Sequence, residues 1–245
     1  MATNTTDENN KSEFLHDEVY ESIPPNYDLI NHLFTGGMDI LWRKKAAKEA
    51  VASHPKAILD ICCGTGDLSI SVAKIAGKDA QVTGLDFSRP MLDVAVRKAG
   101  KAGLDITFVT GDIADIPFPS DSFDSICIGF GFRNLTYKNE VSAQYISEVL
   151  RVMKAGGRFV IVESSQPAPN AKIIKFFHRL FVRYIVSFLG RIISGNSAAY
   201  QYLAESAENY YGAEELRDLL LQSGFSKVTF KRLFFGAAAI HVAKK

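Results

Sequence analysis

Three aspartates stand where short apolar runs end: Asp60 in Ala57-Ile-Leu-Asp-Ile, Asp86 in Thr83-Gly-Leu-Asp-Phe and Asp112 in Val109-Thr-Gly-Asp-Ile. After the first comes Cys62-Cys-Gly-Thr-Gly-Asp-Leu68, in which Gly64 and Gly66 let the chain turn tightly and approach a ligand closely. Such a turn between a strand and a helix aims backbone N–H groups and a helix N-terminus at one point above a sheet, a place for something small and polar. The third glycine of a dinucleotide fingerprint would fall at Ser69, so Gly64-x-Gly66 is a poor pyrophosphate signal. A carboxylate at Asp60 repels a diphosphate but accepts the ammonium of an amino-acid ligand, such as the methionine half of S-adenosylmethionine. Asp86 closes its strand where an acid accepts both hydroxyls of a ribose. Asp112 is placed to receive an adenine amino group, with Ile113 against the ring. Strand-end aspartates also cap the turns that follow them, so the weight rests on three acids at three successive strand ends.

These residues need a parallel sheet to bring them to one edge. From Lys56 onward, β-rich runs alternate with helical patterns, the signature of a doubly wound sheet covered by helices on both faces. The spacing predicts strands over 57–61, 81–85, 106–110, 125–128 and 158–163, and helices over 67–75, 89–102 and 140–152. Gly156 and Gly157 are expected to end the last helix and turn the chain into the fifth strand. After Gln166 a Pro-Ala-Pro run leads into a helical cap, about 167–212, whose 171–193 stretch interleaves aromatic and cationic residues. That stretch fits plain packing of a cap helix and also an interfacial helix or a lipid-tail groove. A helix over 213–223 and two strands, 226–233 and 237–243, finish the sheet as an antiparallel hairpin. An amphipathic segment over 27–50 is expected to pack across the mouth of the ligand site.

Composition limits what such a chain does. With 245 residues, 47% hydrophobic and 22% charged, it has globular proportions. A net charge of +1 provides no bulk attraction for nucleic acid. Residues 1–17 are expected to be a disordered tail without a signal peptide, and 18–245 one domain. No uncharged apolar run approaches the ~18 to 20 residues of a membrane-spanning helix. The three cysteines match neither a disulfide framework nor a metal-ligand spacing and read as small buried residues. The setting expected is reducing and cytoplasmic, with peripheral contact to the inner face of the cell membrane and no metal site.

Four segments, in order, resemble the ubiquinone and menaquinone biosynthesis C-methyltransferase family. They are Tyr27-Asp-Leu-Ile-Asn-His-Leu-Phe-Thr-Gly-Gly-Met-Asp-Ile-Leu-Trp-Arg43, Leu59-Asp-Ile-Cys-Cys-Gly-Thr-Gly-Asp67, Phe130-Gly-Phe-Arg-Asn-Leu-Thr136 and Tyr202-Leu-Ala-Glu-Ser206. The glycine loop is shared by many methyltransferases, whereas the last two runs are specific to the family. The resemblance implies a class I methyltransferase with a Rossmann-like doubly wound sheet, mostly parallel with an antiparallel C-terminal strand, plus the helical cap. Its implied activity is methyl transfer from S-adenosylmethionine to a ring carbon of a polyprenylated hydroquinone, preferably demethylmenaquinol.

Carried over by position, Thr65, Asp86, Asp112 and Ile113 resemble the cofactor contacts, beside Asp60, Gly64 and Gly66. Gly129 stands where many relatives have a cofactor-contacting serine, and Cys62-Cys63 where a small pair such as Ala-Gly is usual. Arg133 and Asn134 follow the fourth strand at the edge where an acceptor faces the donor, and an Arg beside an Asn can hold a phenolate and an ordered water. The bland alternative is a surface Arg paired with a helix acid. Tyr27 and His32 either close over the ring or are satisfied core residues. Other readings are a methyltransferase for another small aromatic or lipid-like acceptor, a nicotinamide-dependent dehydrogenase, against which the missing glycine and Asp60 count, and a catalytically silent adenosylmethionine-binding partner. A homodimer is the assembly considered.

Overall fold

The computed structural model describes residues 28, 32, 35–167, 205, 206 and 209–245. The tail over 1–17, Tyr27 and the aromatic and cationic 171–193 stretch lie outside the described residues, as does most of the cap.

In chain order the elements are α1 (Met38–Ala50), β1 (Ala57–Ile61), α2 (Asp67–Ala76), β2 (Gln81–Asp86), α3 (Arg89–Lys101), β3 (Thr107–Thr110), β4 (Phe123–Gly129), α4 (Phe132–Thr136), α5 (Ser142–Val152), β5 (Met153–Ser164), α6 (Ala213–Gln222), β6 (Lys227–Leu233) and β7 (Ala238–Lys244). The strands form one sheet in the order β3-β2-β1-β4-β5-β7-β6. Every pair from β3 to β5 is parallel, while β7 runs antiparallel to both β5 and β6. The expected sheet and its C-terminal hairpin are therefore present.

Successive residues of a strand point to opposite faces, and the central strands are apolar on both. Leu59, Ile61, Ile126, Ile128, Phe159 and Ile161 pack on one side with residues of α5 and α6. Ile58, Cys127, Val160 and Val162 pack on the other with α1 and α2. This double coverage explains why these strands read as near-continuous apolar runs. It also fixes the strand ends: the parallel strands β1 to β5 all finish at one edge, where connecting loops meet.

Two expectations are corrected. The helix before β5 ends at Val152, and Gly156 and Gly157 lie inside the strand, in an irregularity where pairing passes from Phe123↔Met153 to Ser125↔Arg158. Gly156 has φ 74°, a left-handed conformation suited to the extra residues of that bulge. The segment leading to Ala50 does not lie across the strand ends as a whole. Trp42, Ala46, Ala47 and Ala50 are buried on the sheet face beside α2, because small side chains let the helix settle closely there.

Candidate active site

The glycine loop is fastened from beneath and from the side. Cys63 N–H donates to Leu85 O at 3.1 Å, and Gly64 N–H donates to Asp86 Oδ2 at 2.8 Å. Asp86 also accepts Ser88 N–H on Oδ1 at 2.9 Å. Its carboxyl is 7% exposed, and burial pushes its pKa up against hydrogen bonds from Ser88, Gly64 and Phe87 that lower it. Gly64 and Gly66 have φ 53° and 81°. A Cβ on Gly66 would come within 2.9 Å of Ala95 Cβ, so α2 starts against α3 only because that position is glycine.

Asp60 is fully buried, with both oxygens turned inward. Ser69 Oγ donates to Oδ2 at 2.6 Å and Cys127 Sγ to Oδ1 at 3.7 Å. The residue thus braces α2 and β4 from below the loop, and the open carboxylate expected for an ammonium is not presented at the surface. Burial pushes its pKa to about 7 despite the hydrogen bonds from Ser69 and Cys127. Cys63 and Cys127 are buried free thiols; burial first, then Asp60, raises both pKa values, which fits small interior residues.

Asp112 is exposed and caps the short turn Ile113–Asp115, accepting Ala114 N–H at 2.8 Å. That is the capping use weighed for strand-end aspartates; its second oxygen remains at the surface. Ile113 is 4% exposed and packs in the core beside Leu85 and Ile116, so it supports the floor of the edge more than it offers a free face. Gly129 ends β4, where a Cβ would lie 3.3 Å from Leu68 Cδ2; a serine would make Leu68 yield by a few tenths of an ångström.

Thr65 is 4% exposed and donates to Asp28 Oδ1 at 2.6 Å. Lys98 reaches Asp28 Oδ2 at 2.8 Å and Thr65 Oγ1 at 3.2 Å and also pairs with Asp67. Asp28 and Lys98 were not among the predicted residues. They join positions 70 apart in sequence, a pairing that periodicity cannot reveal. His32 contacts Asp39 Oδ2 through Nδ1 at 2.8 Å, and Asp39 also takes Thr35 and Arg43. Burial would raise the Asp39 pKa, but Thr35, Arg43 and His32 together hold it below the usual value. Arg43 in turn lies 5.0 Å from the Phe130 ring centroid. His32 thus anchors the start of α1, while Tyr27 is outside the described residues.

Arg133 and Asn134 lie on α4, immediately beyond β4. Gly131, at the head of that turn, would place a Cβ 3.0 Å from Cys62 Cβ, so the turn bearing Arg133 abuts the glycine loop. Arg133 is held by its own neighbour strand. Its backbone N–H donates to Glu163 Oε2 at 3.0 Å, and Nη1 donates to Ser164 Oγ at 2.9 Å. Ser164 donates both N–H and Oγ–H to Glu163 Oε1, each at 2.8 Å. Arg133 Nε is buried without a hydrogen bond among the described residues. Glu163 is 1% exposed and was overlooked by the sequence reading, although it closes the run Phe159-Val-Ile-Val-Glu163 as Asp86 closes β2. Nearby, Tyr210 OH and Thr136 Oγ1 are 2.9 Å apart, and burial followed by the Glu163 charge pushes the Tyr210 phenol up.

The residues present suit an adenosyl amino-acid ligand. The loop is tight, its flanking side chains are acceptors, and among the described residues a guanidinium nitrogen without a hydrogen bond, Arg133 Nε, stands on the neighbouring turn.

Comparison with known proteins agrees with this arrangement. Residues 5–245 match the model of the ubiE/COQ5 methyltransferase family. The chain is 40% identical over 227 residues to the demethylmenaquinone methyltransferase of Thermus thermophilus, covering 93% of this chain and 100% of that protein. It is 37% identical over 238 residues to the enzyme of the same name from Anoxybacillus flavithermus, covering 96% and 97%. Among solved structures, a SAM-dependent methyltransferase from Aquifex aeolicus superposes with a TM-score of 0.56 at 18% identity, covering 81% of this chain and 88% of that one. At that identity it shows the shared class I fold.

Proposed function

The chain belongs to the ubiE/COQ5 methyltransferase family, and from that premise we propose that it methylates a ring carbon of a polyprenylated hydroquinone, preferably demethylmenaquinol, in quinone biosynthesis. It is a methyltransferase, and its methyl donor is S-adenosylmethionine. The observation that carries the acceptor reading is the contact between the Arg133 turn and the glycine loop, Gly131 against Cys62. It sets a half-buried cation, oriented by Glu163 and Ser164, beside the glycine loop.

The bound sulfonium supplies an electrophilic methyl group and departs as a neutral thioether. The chain's own residues align, stabilise charge and move protons. A hydroquinone carbon becomes nucleophilic when the adjacent hydroxyl gives its proton to solvent water, and the phenolate formed is stabilised by the Arg133 guanidinium. Methylation leaves one ring proton, which leaves to a water oriented by Asn134. Glu163 is not that base in this reading, since both its oxygens already hold N–H or O–H donors; it positions Arg133. Asp86 receives the ribose hydroxyls, and Gly64, Thr65 and Gly66 with Asp112, Ile113 and Gly129 line the donor side. Asp60 acts from below by fixing α2. Tyr27 and His32 are assigned to the acceptor side, His32 through its anchoring of the start of α1 on Asp39. No helix among the described residues is long and apolar enough to cross a membrane.

The test is incubation with S-adenosylmethionine and a panel of reduced demethylated naphthoquinones and benzoquinones, followed by mass spectrometry. A methyl gain on demethylmenaquinol is expected. Methylation of an unrelated aromatic acceptor, with all quinols untouched, would overturn the assignment.

A further inference from the structure

The turn between β6 and β7 carries two phenylalanines where a polar pair would be cheaper. Phe234 and Phe235 have φ 43° and 57°, a left-handed conformation that bulky residues adopt at a cost, and their side chains are 58% and 70% exposed. Ile40 and Leu41 on α1 are 46% and 45% exposed. Trp42, next in sequence, has its ring 6.4 Å from Phe234, so the turn and the start of α1 stand side by side. The other large exposed apolar side chains of the described residues, Ile75, Val96, Val141 and Leu221, occur singly on separate segments, as is ordinary for a surface.

Charge indicates what covers this face. One turn beyond Ile40 and Leu41 come Lys44 and Lys45, then Lys48, all exposed. Glu49, the acid among them, is engaged with Arg158. Apolar tips followed by a cationic stripe match a boundary where acyl chains give way to anionic headgroups.

We propose that the β6–β7 turn and the outward face of α1 dock this protein on an anionic lipid bilayer. The inference deepens the proposed function and rests on it, because a polyprenylated ring has to be collected from a membrane. The same face is continuous with the reaction edge: Trp42 lies 6.2 Å from the ring of Phe130, the residue after Gly129. The turn's aromatic pair enters the acyl boundary while the lysines stay with the headgroups.

The full chain is sedimented with vesicles of phosphatidylglycerol and phosphatidylcholine in equal amounts, and with phosphatidylcholine alone. Trp42, the sole tryptophan, reports contact through quenching by brominated acyl chains. Two variants are compared: Phe234→Asn with Phe235→Asn, since Asn tolerates the left-handed backbone, and Lys44→Gln with Lys45→Gln and Lys48→Gln. The parent is expected to bind the anionic vesicles with quenched Trp42, and each variant to bind at least about tenfold more weakly. Both should retain parental turnover on a water-soluble hydroquinone lacking the tail. No binding by the parent, binding without Trp42 quenching, or parental binding by the phenylalanine variant would overturn the docking face. Failure of the parent to methylate any hydroquinone would count instead against the proposed substrate, and the vesicle result would still be read by itself.

Discussion

Glu163 holds Arg133 at both ends. One carboxylate oxygen accepts the Arg133 backbone N–H at 3.0 Å, and the other accepts the Ser164 hydroxyl, which itself accepts Arg133 Nη1 at 2.9 Å. The ring so formed passes through the backbone and the guanidinium of a single residue, inside a region where Glu163 is 1% exposed. Hydrogen bonds to a charged group at such a site are worth about 1.5 to 3 kcal/mol each.

Glu163→Gln is therefore expected to lower kcat about tenfold to a hundredfold while leaving adenosylmethionine affinity near the parental value. Ser164→Ala, which breaks only the relay to the guanidinium, should produce a smaller loss. Calorimetry for the donor and steady-state rates on a demethylated quinol measure the two quantities separately. Equal losses of both would mean that Glu163 supports the whole edge and not Arg133 in particular.

Removing the cation itself should cost more. Arg133→Ala is expected to reduce turnover by about two to three orders of magnitude, the scale seen when one charge-stabilising donor is lost, again with donor affinity almost unchanged. A parental rate would take Arg133 out of the mechanism and direct attention to His32 and Tyr27.

On the donor side, Asp86→Ala should weaken adenosylmethionine binding about tenfold or more. The residue has two tasks, since Gly64 N–H rests on the same carboxylate, and Asp86→Asn, which keeps an acceptor for that N–H, should weaken binding less. Unchanged affinity in a folded Ala variant, measured by calorimetry, would place the ribose elsewhere.

Much of this arrangement was legible in the sequence because local chemistry and long-range geometry agree there. The strand over 57–61 ends as predicted, since an apolar run meets a glycine turn. Asp86 was recognisable because it closes a strand beside that turn. Glu163 followed the same rule and escaped because it was read only as a strand boundary. Asp28 and Lys98 meet Thr65 through folding alone, so no spacing announces them, whereas Asp39 stands four residues from both Thr35 and Arg43, a helical spacing that the sequence did offer. The bulge in β5 was hidden because paired glycines signal a helix end as readily as a break in a strand. The inward turn of Asp60 depends on Ser69 and Cys127, neighbours in space on α2 and β4.

That inward turn has a pH consequence. Asp60 has its pKa raised by burial from an ordinary 3.8 to about 7, so between these values the folded chain holds a proton that the unfolded chain has released. Stability contributed by this group is present at low pH and falls as pH rises through that window, by on the order of a few kcal/mol in total. Above about 7 the contribution is flat. Asp60→Asn should remove the slope, so parent and variant melting temperatures measured from pH 4 to 8 should diverge progressively as pH rises, with the variant relatively more stable at the upper end. Parallel curves would show that Asp60 is charged throughout.

The proposed carbon methylation is tested most directly by locating the transferred group. Purified protein is given reduced demethylmenaquinol and S-adenosylmethionine bearing a trideuterated methyl, and the product is examined by NMR. The expected product carries the trideuteromethyl on the ring carbon, has lost the ring proton that stood there, and does not form when the oxidised quinone is supplied. Label on a hydroxyl oxygen, or equal reaction of the electron-poor quinone, would contradict phenolate-driven carbon methylation at the edge that Arg133 and the glycine loop share.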